Sequence, residues 1–442
     1  MPALNSFFDP QEFVTFLNAA KENTPFMQYL KEGWSWENDQ GSRIGFFRPL
    51  ASTAYLLEYQ FFRDNPFGYK ISNFTVHLLC AFLVGYSVSF MGGKKMIAIG
   101  AGMLFAIHPA TVKATGWICA RPDLLATLFS LLAFRFTLLL RKRKNFTRIS
   151  LFPAFFTVMA LSGKELGIAN LFALPVMYFL WYEGSGNKKN TVFFIVSLIL
   201  VAMGYFLVRI WLFGNMGGYT TYSLVSELPQ RVFTVISQTA GLCCVSSFAL
   251  HLVIYLTVAL LLIVYAIKSN RGFQRLAIAL LVTGIYSVQS VVGLPEGHYA
   301  YITTAFAVMF FAYFMGRLEI PARLSRKIIT TAFCLLLLAF GFTTRRESLA
   351  LNALNLAPER VFRGLENVLE QLPERKETMC FVHISDSSPE GIEMRNIPLF
   401  AQYLVPERCN FSFVRDISSA EYFPLVIWNG SEVVVVRQGC LP

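Results

Sequence analysis

Long apolar runs separated by short polar linkers dominate the chain. Ten of them can be drawn, at about 72–91, 96–114, 121–140, 148–163, 166–183, 191–213, 250–267, 275–293, 299–316 and 327–343. A run of roughly 17–25 apolar residues is long enough to cross a bilayer as a helix. The pattern predicts an all-α polytopic membrane protein with about ten spans over residues 71–343. Two parts lie outside that pattern. Residues 1–70 contain amphipathic stretches at Gln11 to Ala20 and Phe26 to Gly33, with aromatics at Phe13, Phe16, Tyr29, Trp34 and Trp36. They predict short helices lying in the interface. Residues 214–249 start Gly-rich and then turn amphipathic. In residues 344–442 helical spacing runs from Leu349 to Leu372. Two β-rich pieces follow, Met379 to Ile384 and Val426 to Val436. They predict a small C-terminal α/β domain.

Linker charge sets the orientation. Alternate loops around 92–95, 141–148, 187–189, 268–275 and 317–327 hold 16 Lys and Arg. The intervening loops hold only Lys113, Arg121, Lys164 and Arg231. The positive-inside rule puts the first set in the cytoplasm. Both ends of this chain are then extracytoplasmic, in what the pattern suggests is a bacterial inner membrane. Residues 1–70 have no apolar segment ahead of them to carry them across. "MPALNSFF" reads as the tail of a membrane helix, so an eleventh, N-terminal span is expected to precede it.

Composition agrees. The 442 residues are 55% hydrophobic and 15% charged, with 43 Phe, 18 Tyr and 6 Trp. Soluble domains carry about 25% charged residues. The net charge of +11 resides in the loops, which topology explains without nucleic acid. Residues 344–442 are the exception, with 10 basic and 13 acidic side chains. Cys380, Cys409 and Cys440 there face an oxidising side, so one disulfide is open to them, with no pairing readable. The other five cysteines read as packing residues. No Cys/His spacing resembles a zinc site.

The candidate chemistry lies on the outer side. Ionisable groups at membrane depth are functional candidates by default. Asp9 and Glu12 lie in the first outer loop. Arg48 precedes Pro49. His108-Pro109 and Lys113 end the second run, and Arg121 and Asp123 open the third. Lys164-Glu165 fill the turn between the fourth and fifth. Arg209 sits deep in the sixth, and His298-Tyr299 opens the ninth. Blander readings stand beside these: Lys164 with Glu165 as an internally paired turn, Arg121 with Asp123 as a local pair at a helix start, and His108 as a span end. His77 and His251 read as packing. Taken together, the cations suit a phosphate-bearing ligand, and a carboxylate can act as base.

Four ordered strings carry a family resemblance over about residues 40–320. They are FFRPLASTAYLLEYQFFRDNPFGYKISNFTVHLLCAFLV, LFAIHPATVKATGWICARPDLLATLFSLLAF, ALSGKELGIANLFALPVMYFL and GHYAYITTAFAVMFFAYF. They resemble the GT-C glycosyltransferase fold, in particular the transmembrane O-mannosyltransferases that carry tetratricopeptide repeats and their repeat-lacking bacterial homologues. The resemblance implies an inverting transfer of a hexose, mannose among the options. The donor is a polyprenyl-phosphate-linked sugar, and the acceptor a protein or a lipid-linked glycan. It implies Asp9 as the base, with Glu12 as its fallback. It implies donor phosphate and sugar binding by Arg48, His108, Arg121, Asp123, Lys164 and Glu165, to which the reading of ionisable groups at membrane depth adds Arg209, His298 and Tyr299. The chain departs from the family pattern at Lys113, where a Glu is usual, at His298 for Arg and at Thr303 for Pro. No cofactor is required, although Asp9, Glu12, Asp123 and Glu165 leave room for a divalent cation. Two other classes remain: a non-catalytic scaffold of the same fold for envelope assembly, and a glycan polymerase or transporter. The domain boundaries expected are 1–70, 71–343 and 344–442.

Overall fold

A computed structural model describes residues 25, 28, 35–37, 43–63, 65–142, 150–181, 188–213, 224–241, 262–263, 266–267, 269, 271–292, 297–317, 337–349, 379–384, 410–413, 425–428 and 433–436. The chain divides into two compact units. One comprises 1–25, 56–68 and 348–442, the other 26–55 and 69–347. Among its described residues the larger unit is mainly helical, with a small antiparallel pairing of β1 (Ser35–Glu37) with β2 (Arg43–Gly45).

The helices follow the apolar runs. They are α1 (Pro49–Phe62), α2 (Pro66–Phe90), α3 (Lys95–Ala106), α4 (Val112–Gly116), α5 (Arg121–Lys142) and α6 (Phe152–Gly163). After them come α7 (Asn170–Leu180), α8 (Lys188–Phe213), α9 (Leu224–Thr239), α10 (Gly272–Val292) and α11 (Tyr301–Arg317). A further helix covers 337–349. Among the described residues four helices are long and apolar enough to cross a membrane, or five if a pair bent by 53° counts as one broken span. The amphipathic stretch expected within 214–249 is α9. The run at 250–267 falls almost wholly outside the described residues, as do the helices expected at Gln11 to Ala20, at Phe26 to Gly33 (apart from a helical Gln28) and at Leu349 to Leu372.

Local chemistry starts and stops these elements. Pro66 occupies the first position of α2, where its missing N–H is no loss, and Asn65 Oδ1 accepts the Phe67 N–H at 3.0 Å. α2 and α3 then pack backbone to backbone. A Cβ at Gly85 would lie 2.6 Å from the Ala98 carbonyl oxygen, and one at Gly102 would lie 2.9 Å from that of Ala81. Small residues permit this approach inside a membrane. Gly85→Val is therefore expected to lower the melting temperature in detergent, since overpacking costs about 1–3 kcal/mol. An unchanged melting curve would contradict the close approach.

The bent pair is α3 with residues 109–116, and the break falls at His108-Pro109. Pro109 cannot continue a helix. Backbone freed at membrane depth must find partners inside the protein, and it does. His77 Nε2 lies 3.0 Å from the Ala106 carbonyl. Thr344 Oγ1 donates to Ile107 O at 2.6 Å, Asn73 Nδ2 to Trp117 O at 2.9 Å, and Tyr55 OH to Ile118 O at 2.6 Å. A carbonyl only accepts, so His77 carries its proton on Nε2. Its Nδ1 then accepts from Tyr301 OH at 2.8 Å. The histidine expected to be packing is thus a hydrogen-bonded strut.

The smaller unit holds a four-stranded sheet in the order β4-β3-β5-β6: β3 (Met379–Ile384), β4 (Asn410–Phe413), β5 (Leu425–Trp428) and β6 (Val433–Val436). β3 runs parallel to β4 and β5, with Met379 opposite Asn410 and Phe381 opposite Leu425. β5 and β6 are antiparallel, with Trp428 opposite Val433. Both β-rich pieces seen in the sequence are strands. The second is a hairpin, and β4 is an addition.

Candidate active site

The site is organised by one extended residue. α6 ends at Gly163, and Lys164 has φ −159° and ψ 153° before a 3-10 turn over Glu165–Ala169. Extended backbone sends successive side chains to opposite sides. Gly163 permits the turn to lie against the start of α5, since a Cβ there would be 3.1 Å from Ala126 N. Lys164 and Glu165 therefore reach different partners.

Lys164 Nζ donates to both carboxylate oxygens of Asp123, at 2.9 and 2.7 Å, and both side chains are almost wholly buried. Asp123 sits in the first turn of α5. Lys164 lies in the turn between α6 and α7, outside the spanning segments. Burial pushes its ammonium below the ordinary value, Arg48 adds to that push, and the Asp123 carboxylate opposes it. The Lys164 ammonium also stands 4.3 Å from the ring centre of Tyr299.

Glu165 points the other way. Its Oε2 accepts from Arg48 Nη2 at 3.1 Å and Nε at 3.3 Å, and its Oε1 lies 3.7 Å from Arg209 Nη1. Arg209, from the last turns of α8, also donates to Tyr205 OH at 3.1 Å. Both arginines are buried. Among the described residues the cluster brings together three cations, Arg48, Lys164 and Arg209, and two carboxylates, Asp123 and Glu165. Basic side chains gathered at a buried, low-dielectric position suit an anionic ligand.

His298 and Tyr299 lie in the 3-10 turn Gly297–Ala300. The His298 ring meets Trp117 edge-on at 4.6 Å and Tyr299 at 4.2 Å. Trp117 also faces Lys113 Nζ at 5.3 Å. The Tyr299 carbonyl accepts from Ser290 Oγ at 2.6 Å, which fixes the turn on α10.

Two expected members are engaged elsewhere. Arg121 donates from Nη2 to the Tyr69 carbonyl at 2.8 Å and from Nε to Asn73 Oδ1, and it lies over the Tyr55 ring. Asn73 thereby joins Arg121 to the broken segment. His108 Nδ1 accepts the Ala110 N–H at 3.2 Å, and its ring packs edge-on against Phe340 at 4.7 Å. It caps the break. Asp9 and Glu12 lie outside the described residues. The local pairs weighed from sequence do not form: Asp123 takes Lys164 rather than Arg121, and Glu165 takes arginines rather than Lys164. Sequence reasoning missed Tyr205 and gave Asn73 no role, although Asn73 lies within the first matching string.

Among the described residues no group of three His, Cys, Asp or Glu can hold a metal ion. Asp123 and Glu165 are both already held by cationic side chains.

No family model matches the chain. A protein O-mannosyl-transferase of Caenorhabditis elegans is 25% identical over 207 residues, 45% of this chain and 28% of that protein. The protein O-mannosyl-transferase Tmtc1 of Drosophila melanogaster is 33% identical over 96 residues, 22% of this chain and 11% of that one. The chain thus covers under a third of the length of these relatives. Among solved structures, ArnT from Cupriavidus metallidurans bound to undecaprenyl phosphate matches with a TM-score of 0.50 at 10% identity, over 97% of this chain and 90% of that one. The archaeal oligosaccharyltransferase AglB from Archaeoglobus fulgidus, in complex with an inhibitory peptide and a dolichol-phosphate, also matches with a TM-score of 0.50 at 10% identity, over 92% of this chain and 61% of that one. The chain is therefore an integral membrane protein with the GT-C fold, and over nearly half its length it resembles the transmembrane O-mannosyltransferases.

Proposed function

We propose that the protein is a glycosyltransferase that moves a sugar from a polyprenyl-phosphate donor to a protein or lipid-linked glycan acceptor on the extracytoplasmic side. The observation that carries this reading is the buried cluster in which Arg48, Lys164 and Arg209 gather around Asp123 and Glu165. The solved neighbours with undecaprenyl phosphate and dolichol-phosphate support a lipid phosphate as the anion.

In this mechanism Asp9, or Glu12 in its place, takes the proton of the acceptor hydroxyl. The oxygen attacks the anomeric carbon, and the bond from that carbon to the phosphate oxygen breaks with inversion. The lipid phosphate leaves with the bonding electrons. Arg48, Lys164 and Arg209 stabilise the charge that develops on it, and Asp123 and Glu165 hold those cations in place. His298 and Tyr299 border the sugar. A mannosyl group follows the relatives' names. A divalent cation would depend on Asp9 and Glu12, because the other two carboxylates are already bound.

The test compares envelope glycans and glycoproteins of a deletion strain by mass spectrometry. One defined sugar mass should vanish and return with the wild-type gene. Identical spectra in the two strains would overturn the reading. In addition, Arg48→Met should weaken capture of the polyprenyl phosphate by about 10- to 100-fold, the range for a lost charge-assisted hydrogen bond. Unchanged affinity in a titration of the purified protein would remove Arg48 from the phosphate site.

A further inference from the structure

At the opposite end of the bundle, α2 and α3 form a second candidate site. An open groove of about 470 Å³ runs along their seam, floored by the small residues Ala81, Gly85, Ala98 and Gly102 and ending at Ser89 and Lys95. Lys95 to Ala106 spans eleven helical steps, or roughly 16 Å, about half of the ~30 Å hydrocarbon core. The groove therefore has the depth of one leaflet. Its lining is apolar except at the Lys95 end.

Tyr86 also lines the groove, and its hydroxyl accepts from Arg135 Nη2 at 3.2 Å. Arg135 lies inside α5 and stacks on the Phe90 ring, 3.3 Å from its centre. Its Nε and Nη1 are buried and have no hydrogen-bond partner among the described residues. None of the described ion pairs includes Arg135 or Lys95. Its charge is met by the rings of Tyr86 and Phe90, and an arginine in a span without a counter-charge is costly, so its open donors suit an anion. Arg317, whose guanidinium lies beside Gly92, adds positive charge at the same end.

We propose that this groove binds an anionic phospholipid, with one acyl chain lying along the seam of α2 and α3 and the phosphate at the Lys95 end, where Arg135 supplies a second positive charge across Tyr86. The positive-inside reading makes this the cytoplasmic leaflet, away from the proposed transfer site. The inference does not depend on the reaction assigned above.

The experiment uses the full chain purified in detergent. Phosphatidylglycerol and phosphatidylcholine with identical acyl chains are the probes, read by native mass spectrometry and by the shift in melting temperature. Phosphatidylglycerol should give a one-lipid adduct and raise the melting temperature, and phosphatidylcholine should do neither. Each lost cation should weaken the adduct about fivefold, so that Lys95→Gln with Arg135→Gln loses about 25-fold. Lys94→Gln makes the same charge change at a residue that does not line the groove, and should have no effect. Should Arg135→Gln fold poorly, the exposed positions carry the test: Lys95→Gln weakens the headgroup contact, and Met103→Trp narrows the chain's path. Equal binding of the two lipids would overturn the proposal, as would undiminished binding by the Lys95 and Met103 variants. Preference for a polyprenyl phosphate over phosphatidylglycerol would overturn the phospholipid assignment.

Discussion

Asp9→Asn is expected to reduce sugar transfer by about 10²- to 10⁴-fold, the usual contribution of a positioned general base. The substitution keeps the shape of the side chain but removes its charge and its ability to take up a proton. The effect should fall on kcat, with donor affinity unchanged, because the cations proposed to bind phosphate are separate residues. If Asp9 lies in an outer loop, as the sequence pattern predicts, stability should move by no more than about 0.5 kcal/mol. The measurement is single-turnover transfer from a polyprenyl-phosphate sugar by purified wild type and variant, with mass spectrometry of the product. Full activity in Asp9→Asn with loss in Glu12→Gln would move the base to Glu12. Full activity in both variants would remove the carboxylate mechanism and favour a scaffold with the same fold.

Asp123→Ala should have the largest effect on stability. It would leave the Lys164 ammonium buried without its two carboxylate contacts, at 2.9 and 2.7 Å. Breaking one side of a buried pair costs about 3–5 kcal/mol. The compensating change is informative. Asp123→Ala combined with Lys164→Met removes both charges and should recover most of that loss, while still failing to transfer sugar. Unfolding by denaturing detergent would measure both variants. If the double variant is no more stable than Asp123→Ala, the loss comes from packing around α5 and the ion pair is not its cause.

Much of the architecture was legible because a membrane leaves few options. Apolar length marks the helices, and the His108-Pro109 step marks the broken span seen among the described residues, although the run at 96–114 reads as continuous by hydropathy alone. The candidate site was legible as a set of residues but not as a set of pairs. Arg121 and Asp123 are two positions apart, and residues so spaced on a helix do not face each other. Lys164 and Glu165 are adjacent on extended backbone and diverge. Their real partners are 41 and 117 residues away, beyond any local pattern. For His108 the sequence offered both a ligand and a span end, and the cap on Ala110 N–H matches the second without testing the first.

The donors that satisfy the break come from widely separated parts of the chain. Tyr55, Asn73 and His77 precede it, but Thr344 follows Ile107 by 237 residues. During synthesis the segment around Ile107 enters the bilayer long before that hydroxyl exists. Its carbonyl must then rely on water or on a transient helical continuation, since bare polar backbone is not tolerated in hydrocarbon. The kinked form becomes self-sufficient only when the helix at 337–349 arrives. Insertion and completion of this fold are thus separate events in time, and a ribosome stalled before residue 344 would hold a chain that is in the membrane but not yet in its final shape.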